Sequence, residues 1–258
     1  MIMESPLFSI ITITYNASST IERTMHSVAS QTCRDFEHII VDGASRDNTL
    51  DIVNRFTDVS NISVCSEPDD GLYDAMNKGR DRAQGQYILF LNAGDKFHSE
   101  NTLEQYKKAI VENDYPGIVY GQTILVDDNG NFVAPRHLSA PPKLKYKDFA
   151  QGMLVCHQAF MALKRLTPPF NLKYRFSADY DWCIGCLMHS RKNTYIDDVT
   201  IDYLYEGMTT RNRRASLIER FKIMSHYYGF IPTVWRHLGF ISRFKKHQKQ
   251  VKNGISHI

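Results

Sequence analysis

The stretch Tyr87-Ile88-Leu89-Phe90-Leu91-Asn92-Ala93-Gly94-Asp95 is the key to this chain. Its first five residues are apolar, aromatic or both. A short run of that kind predicts a strand buried on both faces, as in a parallel sheet. The run stops abruptly at Asn-Ala-Gly-Asp. Gly94 allows a sharp turn, and Asp95 then stands just past the carboxyl end of the strand. In open α/β sheets, ligands bind at that end. A carboxylate there, with the Asn92 amide three residues before it, suits a hard cation that carries a phosphate ligand. The plain alternative is a strand-to-helix turn in which Asp95 is a cap.

Working outward toward the N-terminus, three more strands are expected. Phe8–Thr14 and Phe36–Val41 are β-branched and apolar, and Ile62–Cys65 is a shorter run of the same kind. Between them, Ser18–Gln31, Asn48–Phe56 and Leu72–Ala83 carry apolar residues at helical spacing. The order βαβαβαβ predicts a parallel sheet wound by helices with right-handed crossovers. Beyond Asp95 the pattern loosens. Helices are expected over Thr102–Asn113 and from Ser177 or Asp179 to His189. A hairpin is expected around Asp128-Asn129-Gly130, and a last strand over Thr194–Val199. Met153–Leu163 is apolar and reads as one strand or two.

At 258 residues, with 43% hydrophobic residues, the chain has an ordinary globular composition. No apolar run approaches the ~20 residues that span a bilayer. The first residues show no basic region or cleavage site, so no signal peptide is expected. Of the five cysteines, only Cys183 and Cys186 have CxxC spacing, without a second pair for zinc. Idle thiols in a cytoplasmic protein are expected. The net charge of +3 conceals an asymmetry. From Arg211 onward there are 11 Lys/Arg and one acid, Glu219, whereas the preceding chain has 20 basic and 27 acidic residues, a net of −7. The basic tail is also rich in aromatic residues, which points to an anionic membrane surface or to a pair of packed helices with a solvated basic face. No nucleic-acid partner is expected.

Three turns carry carboxylates: Asp42, the pair Asp69/Asp70, and Asp95. In a wound sheet they converge on one edge, where a cation or a hydrogen-bonded ligand would relieve their repulsion. No GxGxxG follows the first strand and no GxxxxGK[ST] occurs. This is therefore neither a dinucleotide-binding Rossmann sheet nor a P-loop protein. Phosphate charge would fall to a metal at Asp95, with Lys78 or Arg80 as possible aids.

Four segments carry a resemblance: FSIITITYNA (8–17), HIIVDGASRDNTLDI (38–52), SEPDDGLYDAMNKGRDRAQGQYILFLNAGD (66–95) and FSADYDW (176–182). Their order and spacing are similar to those of family 2 glycosyltransferases with the type A nucleotide-diphospho-sugar transferase fold. DDGLYDAMNKG followed by LNAGD resembles bacterial enzymes of capsule, O-antigen or exopolysaccharide synthesis. The resemblance implies an α/β fold, a mostly parallel wound sheet with a mixed acceptor-side region and C-terminal helices. Residues 1–95 would form the nucleotide-sugar half and 96–210 the acceptor half of the same domain, with 211–258 as a basic, aromatic helical extension.

Carried onto individual residues, the resemblance implies that Asp42 accepts the imide N–H of a uracil ring. Its alternative role is to cap the DGAS loop. Asp70, Tyr73, Asn77 and Asn92 would line the donor pocket, with Asp74 and Lys78 as close rivals. Asp95 would be the metal ligand, for Mn²⁺ or Mg²⁺. Asn92 and Gly94 stand where the family commonly has acids, so the diphosphate would supply most ligands. Asp179 would be the catalytic base, or else a helix N-cap, with Asp181 two residues on. His157-Gln158 lies where similar enzymes have acceptor-side residues. A histidine beside an apolar run is more often a core residue, and that reading is preferred. The implied activity is inverting transfer from a UDP-linked sugar to a hydroxyl of a glycan or lipid-linked saccharide. Transfer to a polyprenyl phosphate and a non-catalytic nucleotide-sugar-binding protein are the alternatives. A sugar-1-phosphate nucleotidyltransferase would need a Gly-rich basic first loop, which TITYNASS lacks.

Overall fold

The structure, a computed structural model, describes residues 5–57, 61–205 and 213–239. Four short apolar runs become the wound part of one sheet. They are β1 (Phe8–Thr14), β2 (Phe36–Asp42), β3 (Ile62–Ser66) and β4 (Tyr87–Phe90). Their spatial order is β3-β2-β1-β4, all parallel. Every residue of β1 and β4 is buried, which is why both read as unbroken apolar runs rather than alternating ones. Helices α1 (Ile21–Ala29), α2 (Thr49–Asn54) and α3 (Leu72–Arg82) connect them. Helix α3 lies close over β1 and β2 because Gly79 has no side chain; a Cβ there would collide with Ile11 Cγ2.

On the far side of β4 the sheet becomes mixed. The remaining strands are β5 (Lys96–Phe97), β6 (Ile118–Val126), β7 (Phe132–Pro135), β8 (Phe160–Leu163) and β9 (Asn193–Leu204). The path continues β4-β8-β6-β9-β5, with β7 paired to β6 as the expected hairpin. β8 runs antiparallel to both β4 and β6. β9 is parallel to β6 and far longer than the Thr194–Val199 run suggested, because its second half pairs β6 beyond two register shifts. Helix α4 (Thr102–Glu112) packs on this part of the sheet.

Helix α5 (Ala178–His189) is almost wholly buried, in keeping with apolar residues all round it. It is fixed by aromatic contacts. The Trp182 ring stacks on Phe170 at 5.1 Å and meets Phe90 and Phe160 edge-on at 5.6 and 5.8 Å. Tyr73 stacks on the same Phe170 at 5.7 Å. Each such pair adds about 0.5–1.5 kcal/mol beyond its buried area. Together they tie α3, β4, β8 and α5 into one unit. Helix α6 (Arg213–Tyr228) packs on α5, and Glu219 accepts the backbone N–H groups of Arg175 and Phe176 at 2.8 Å each. Of the helical extension expected from residue 211 onward, the structure describes 213–239, where the chain is largely helical; 211–212 and 240–258 lie outside the described residues.

Candidate active site

The carboxyl ends of β1, β2 and β4 form one edge of the sheet, and the loops there are stapled together. Asn16 Oδ1 accepts from Arg46 N at 2.8 Å, Ser45 Oγ from Asn16 N at 2.8 Å, and Thr49 Oγ1 from Ala17 N at 2.8 Å. Asp42, at the end of β2, is fully buried. One of its oxygens accepts from Ser45 N at 2.9 Å and from Ser66 Oγ at 2.6 Å; the other accepts from the Ser45 hydroxyl. Its carboxylate therefore caps the DGAS loop, and the uracil contact expected of it would have to use remaining lone pairs or displace a serine. Exposed Tyr15 flanks this loop, its ring carbon 3.3 Å from where a Cβ of Gly43 would stand.

The next turn holds Asp69 and Asp70. Asp69 accepts Gly71 N at 2.8 Å, while Asp70 is exposed and its own N–H bonds the Asp74 carboxylate at 3.2 Å. Asn77, expected to line the pocket, has another task. Its amide donates to Phe170 O at 3.0 Å and accepts from Phe170 N at 2.7 Å, so it fixes the loop before α5. Lys78 and Arg80, considered as phosphate aids, are also engaged. Lys78 pairs with Glu67 and Asp74 at 3.3 and 3.4 Å, and Arg80 donates to Thr167 O and pairs with Asp81.

The Asn92–Asp95 turn is clamped from both sides. Gly94 has φ +100°, in the region that favours glycine, and a Cβ on it would meet Leu204 at 2.8 Å. Thr24 of α1 accepts Gly94 N at 2.9 Å and donates to Asp95 O at 2.6 Å. The buried Asp95 carboxylate accepts Leu204 N at 2.9 Å on one oxygen and Gln158 Nε2 at 2.8 Å on the other. Burial pushes its carboxyl up to about 6; the two donors and the charges of His157 and Arg23 oppose that rise. Beside it, Asn92 Oδ1 is buried with no hydrogen-bond partner. An unpartnered amide oxygen next to a carboxylate suits a hard divalent cation, which takes oxygen ligands. Among the described residues no group of three or more His, Cys, Asp or Glu could hold a metal alone. Asp95 and Asn92 thus fit a cation that brings further ligands with it.

Asp179 opens α5 and is mostly covered, its side chain 15% exposed. One oxygen accepts the Tyr73 hydroxyl at 3.0 Å and Tyr180 N at 2.9 Å; the other faces His157 Nδ1 at 3.2 Å. His157 Nε2 in turn meets Asn92 Nδ2 at 3.3 Å. Nδ1–H donates to Asp179, and Nε2 faces the Asn92 amide. Burial works to raise the Asp179 carboxyl. The hydrogen bond and charge of His157, the charge of Arg220 and the Tyr73 hydroxyl outweigh it, so the group sits below the ordinary carboxylate range. Asp181 turns elsewhere, with Tyr227 and Asn171 as partners, and burial pushes its carboxyl up.

The structure thus brings Tyr73, Asn92, Asp95 and Asp179 together, and adds two residues that the sequence reading assigned to the core. His157 links Asn92 to Asp179, and Gln158 holds Asp95. The adjacent His-Gln pair, both polar inside an apolar run, was the signal that could have found them. The five cysteines are free, and burial raises the Cys183 and Cys186 thiols.

Known proteins are similar to this chain in sequence and in fold. The model of the family "Glycosyl transferase family 2" matches residues 9–166. A "PGL/p-HBAD biosynthesis glycosyltransferase" of Mycobacterium bovis is 37% identical over 189 residues, 71% of each chain. A "Putative teichuronic acid biosynthesis glycosyltransferase TuaG" of Bacillus subtilis is 33% identical over 152 residues, 58% of this chain and 59% of that one. Among solved structures, an S. aureus TarS fragment in complex with UDP-GlcNAc superposes with TM-score 0.68 at 19% identity, covering 90% of this chain and 73% of that chain. Its likeness bears on the fold alone, a mixed α/β sheet of the type A glycosyltransferase kind. The family match spans more than half of the sequence and includes β1 to β4, the Asn92–Asp95 turn and His157-Gln158: the chain belongs to glycosyl transferase family 2.

Proposed function

We propose that this chain is an inverting glycosyltransferase that moves a sugar from a UDP-linked nucleotide-diphospho-sugar to a hydroxyl of a glycan or lipid-linked saccharide in cell-surface polysaccharide synthesis. The observation that carries the reading is the Asp179 carboxylate, held ionised by Tyr73 and His157 and joined through His157 to the Asn92–Asp95 turn. A sugar hydroxyl is a poor nucleophile because its proton is tightly held. Asp179 takes that proton as the hydroxyl oxygen bonds the anomeric carbon, and the glycosidic C–O bond to the diphosphate breaks with its electron pair leaving on the nucleotide. His157 and Tyr73 keep Asp179 charged and aimed. No covalent intermediate is required, so no second carboxylate nucleophile is needed.

In this reading residues 1–95 hold the donor, with Asp42, Asp70 and Tyr15 around the base and Asn92 and Asp95 at the diphosphate; residues 96–210 face the acceptor. Asp95 and Asn92 would hold Mn²⁺ or Mg²⁺, whose contribution when bound is to offset charge on the leaving diphosphate. The donor reading is supported by the TarS complexes with UDP and UDP-GlcNAc. The metal reading is supported by a Pyrobaculum calidifontis mannosyltransferase in complex with GDP-Man and Mn2+, TM-score 0.61 at 18% identity, covering 93% of this chain and 76% of that one. The names of the mycobacterial and B. subtilis relatives support a cell-surface product, the class to which capsule and O-antigen belong. A lipid-linked acceptor of that class would be met at the inner face of the membrane.

The test is a screen of nucleotide sugars for metal-dependent release of nucleoside diphosphate, with Asp179→Asn as control. Release by the native chain with one donor, lost in Asp179→Asn, is expected. No release with any donor and acceptor extract would favour a non-catalytic sugar-nucleotide-binding protein. Product soluble in organic solvent as a phosphate-linked sugar would favour polyprenyl phosphate as acceptor.

A further inference from the structure

The C-terminal helices carry a surface that the proposed chemistry does not use. Residues 230–239 are helical, and Ile231, Trp235 and Leu238 share one face of that helix by their spacing. They are 69%, 71% and 55% exposed. Large apolar side chains grouped on one exposed face mark an interaction surface. On the adjoining flank, Pro232 and Arg236 line a cavity of about 310 Å³ together with Tyr146, Lys147, Tyr227 and Tyr228. Arg236 lies over the Tyr228 ring at 5.8 Å and Lys147 over the Tyr146 ring at 6.0 Å, and neither has an ion-pair partner among the described residues. Two cations on aromatic rings beside an apolar stripe are suited to a ligand with phosphate above and hydrocarbon below.

Charge narrows the choice of occupant. Glu219, the one acid after Arg211, is engaged with backbone N–H groups. Residues 240–258 add Arg243, Lys245, Lys246, Lys249 and Lys252, and no acid. A two-fold contact between copies of this face would bring the same cations against one another, whereas an anionic leaflet complements them. Its wall residue Tyr227 also hydrogen-bonds Asp181 on α5, which ties this flank to the body of the protein.

We propose that this face docks on an anionic phospholipid surface, with Ile231, Trp235 and Leu238 entering the interface and Arg236 and Lys147 receiving lipid phosphates. The proposal deepens the reading of a lipid-carried acceptor and rests on it for its purpose; its test does not. Trp182 is buried, so a vesicle-induced change in tryptophan emission reports Trp235. The full chain should float with phosphatidylcholine vesicles containing phosphatidylglycerol and not with phosphatidylcholine alone. Its emission should shift to the blue and be quenched by brominated acyl chains. Arg236→Glu with Lys147→Glu should weaken vesicle affinity about tenfold or more, and Ile231→Ser with Leu238→Ser should abolish quenching, each with an unchanged melting curve. Trp235→Phe should still float while losing the optical signal. Unquenched Trp235 on phosphatidylglycerol vesicles would overturn the proposal. So would apolar-face variants that change sedimentation mass but not flotation, which would assign the face to a second copy. Flotation is measured without donor or acceptor, so its failure and a failure of sugar transfer are separate results.

Discussion

The two ends of the site hold their carboxylates by different means. Asp42 takes its hydrogen bonds from Ser45, three residues on, and from Ser66, its partner on the neighbouring parallel strand. That end is a closed ring, complete within the wound half of the sheet. Asp95 and Asp179 lie at the seam with the mixed half and draw on distant partners: Gln158 and Leu204 for Asp95, Tyr73 and His157 for Asp179. Parallel neighbours give a ready-made floor. The seam gives groups whose charge state depends on several elements at once, which is where acid–base chemistry is tuned.

The sharpest way to break this contrast is at Asp179. Asp179→Asn should lower the transfer rate by roughly 10²–10⁴-fold while nucleotide affinity, measured by calorimetry, stays nearly intact. Asp181→Asn should be much milder, since Asp181 faces Tyr227; the reverse ranking would move the base to Asp181. Next comes the seam's other partner. His157→Ala should cost roughly tenfold, the scale of a hydrogen bond to a charged group, about 1.5 kcal/mol. Because His157 is what chiefly holds Asp179 down, its loss should also move the acid limb of the rate profile to higher pH. A rate loss without that movement would make His157 only a packing residue.

Asp95 separates metal binding from stability. Asp95→Asn should lose metal-dependent affinity for UDP, measured with Mn²⁺ by calorimetry. Its folded carboxyl, about 6, is above the ordinary 3.8, so the folded state holds the proton more tightly than the unfolded chain. The stability it contributes is full below the ordinary value and is lost as pH rises through about 6. Asp95→Asn should flatten the stability profile in that window, which denaturant melts at several pH values would reveal. The smallest effect on chemistry is expected at Asn77. Asn77→Ala leaves the Phe170 backbone groups without partners, at a cost of about 1–3 kcal/mol in stability. Transfer by the molecules that remain folded should change little. A large rise in KM for the donor instead would return Asn77 to the pocket.

The wound half of the sheet was legible because buried parallel strands are written as unbroken apolar runs, each closed by a polar turn. Asp95 stands at the end of such a run and is marked by it; Tyr73 and Asp179 lie on helices and are marked only by the resemblance of their segments, and the structure sets them within hydrogen-bond distance of each other. What was not legible was pairing. β8 is a four-residue strand antiparallel to β4, and nothing in Phe160–Leu163 states its direction. That direction is what delivers His157 and Gln158 to the seam. Asn77 has a residue type suited to a sugar or a phosphate; its actual partner, Phe170, lies 93 positions away. Asp42 had two readings in sequence, and only the hydroxyls of Ser45 and Ser66 show how fully the loop uses it.

The clamp on the Asn92–Asp95 turn has a consequence for how this protein assembles. The contacts that shape it span 71 positions to Thr24, 63 to Gln158 and 109 to Leu204. Contacts between such distant residues form only after large loops have closed, and loop closure is what slows folding. A ribosome that has released residues 1–95 has made the strand and the turn, but neither of the two donors to Asp95. The clamp on Asp95 can therefore close only after β9 has been made, when Leu204, the last of those partners in the chain, arrives.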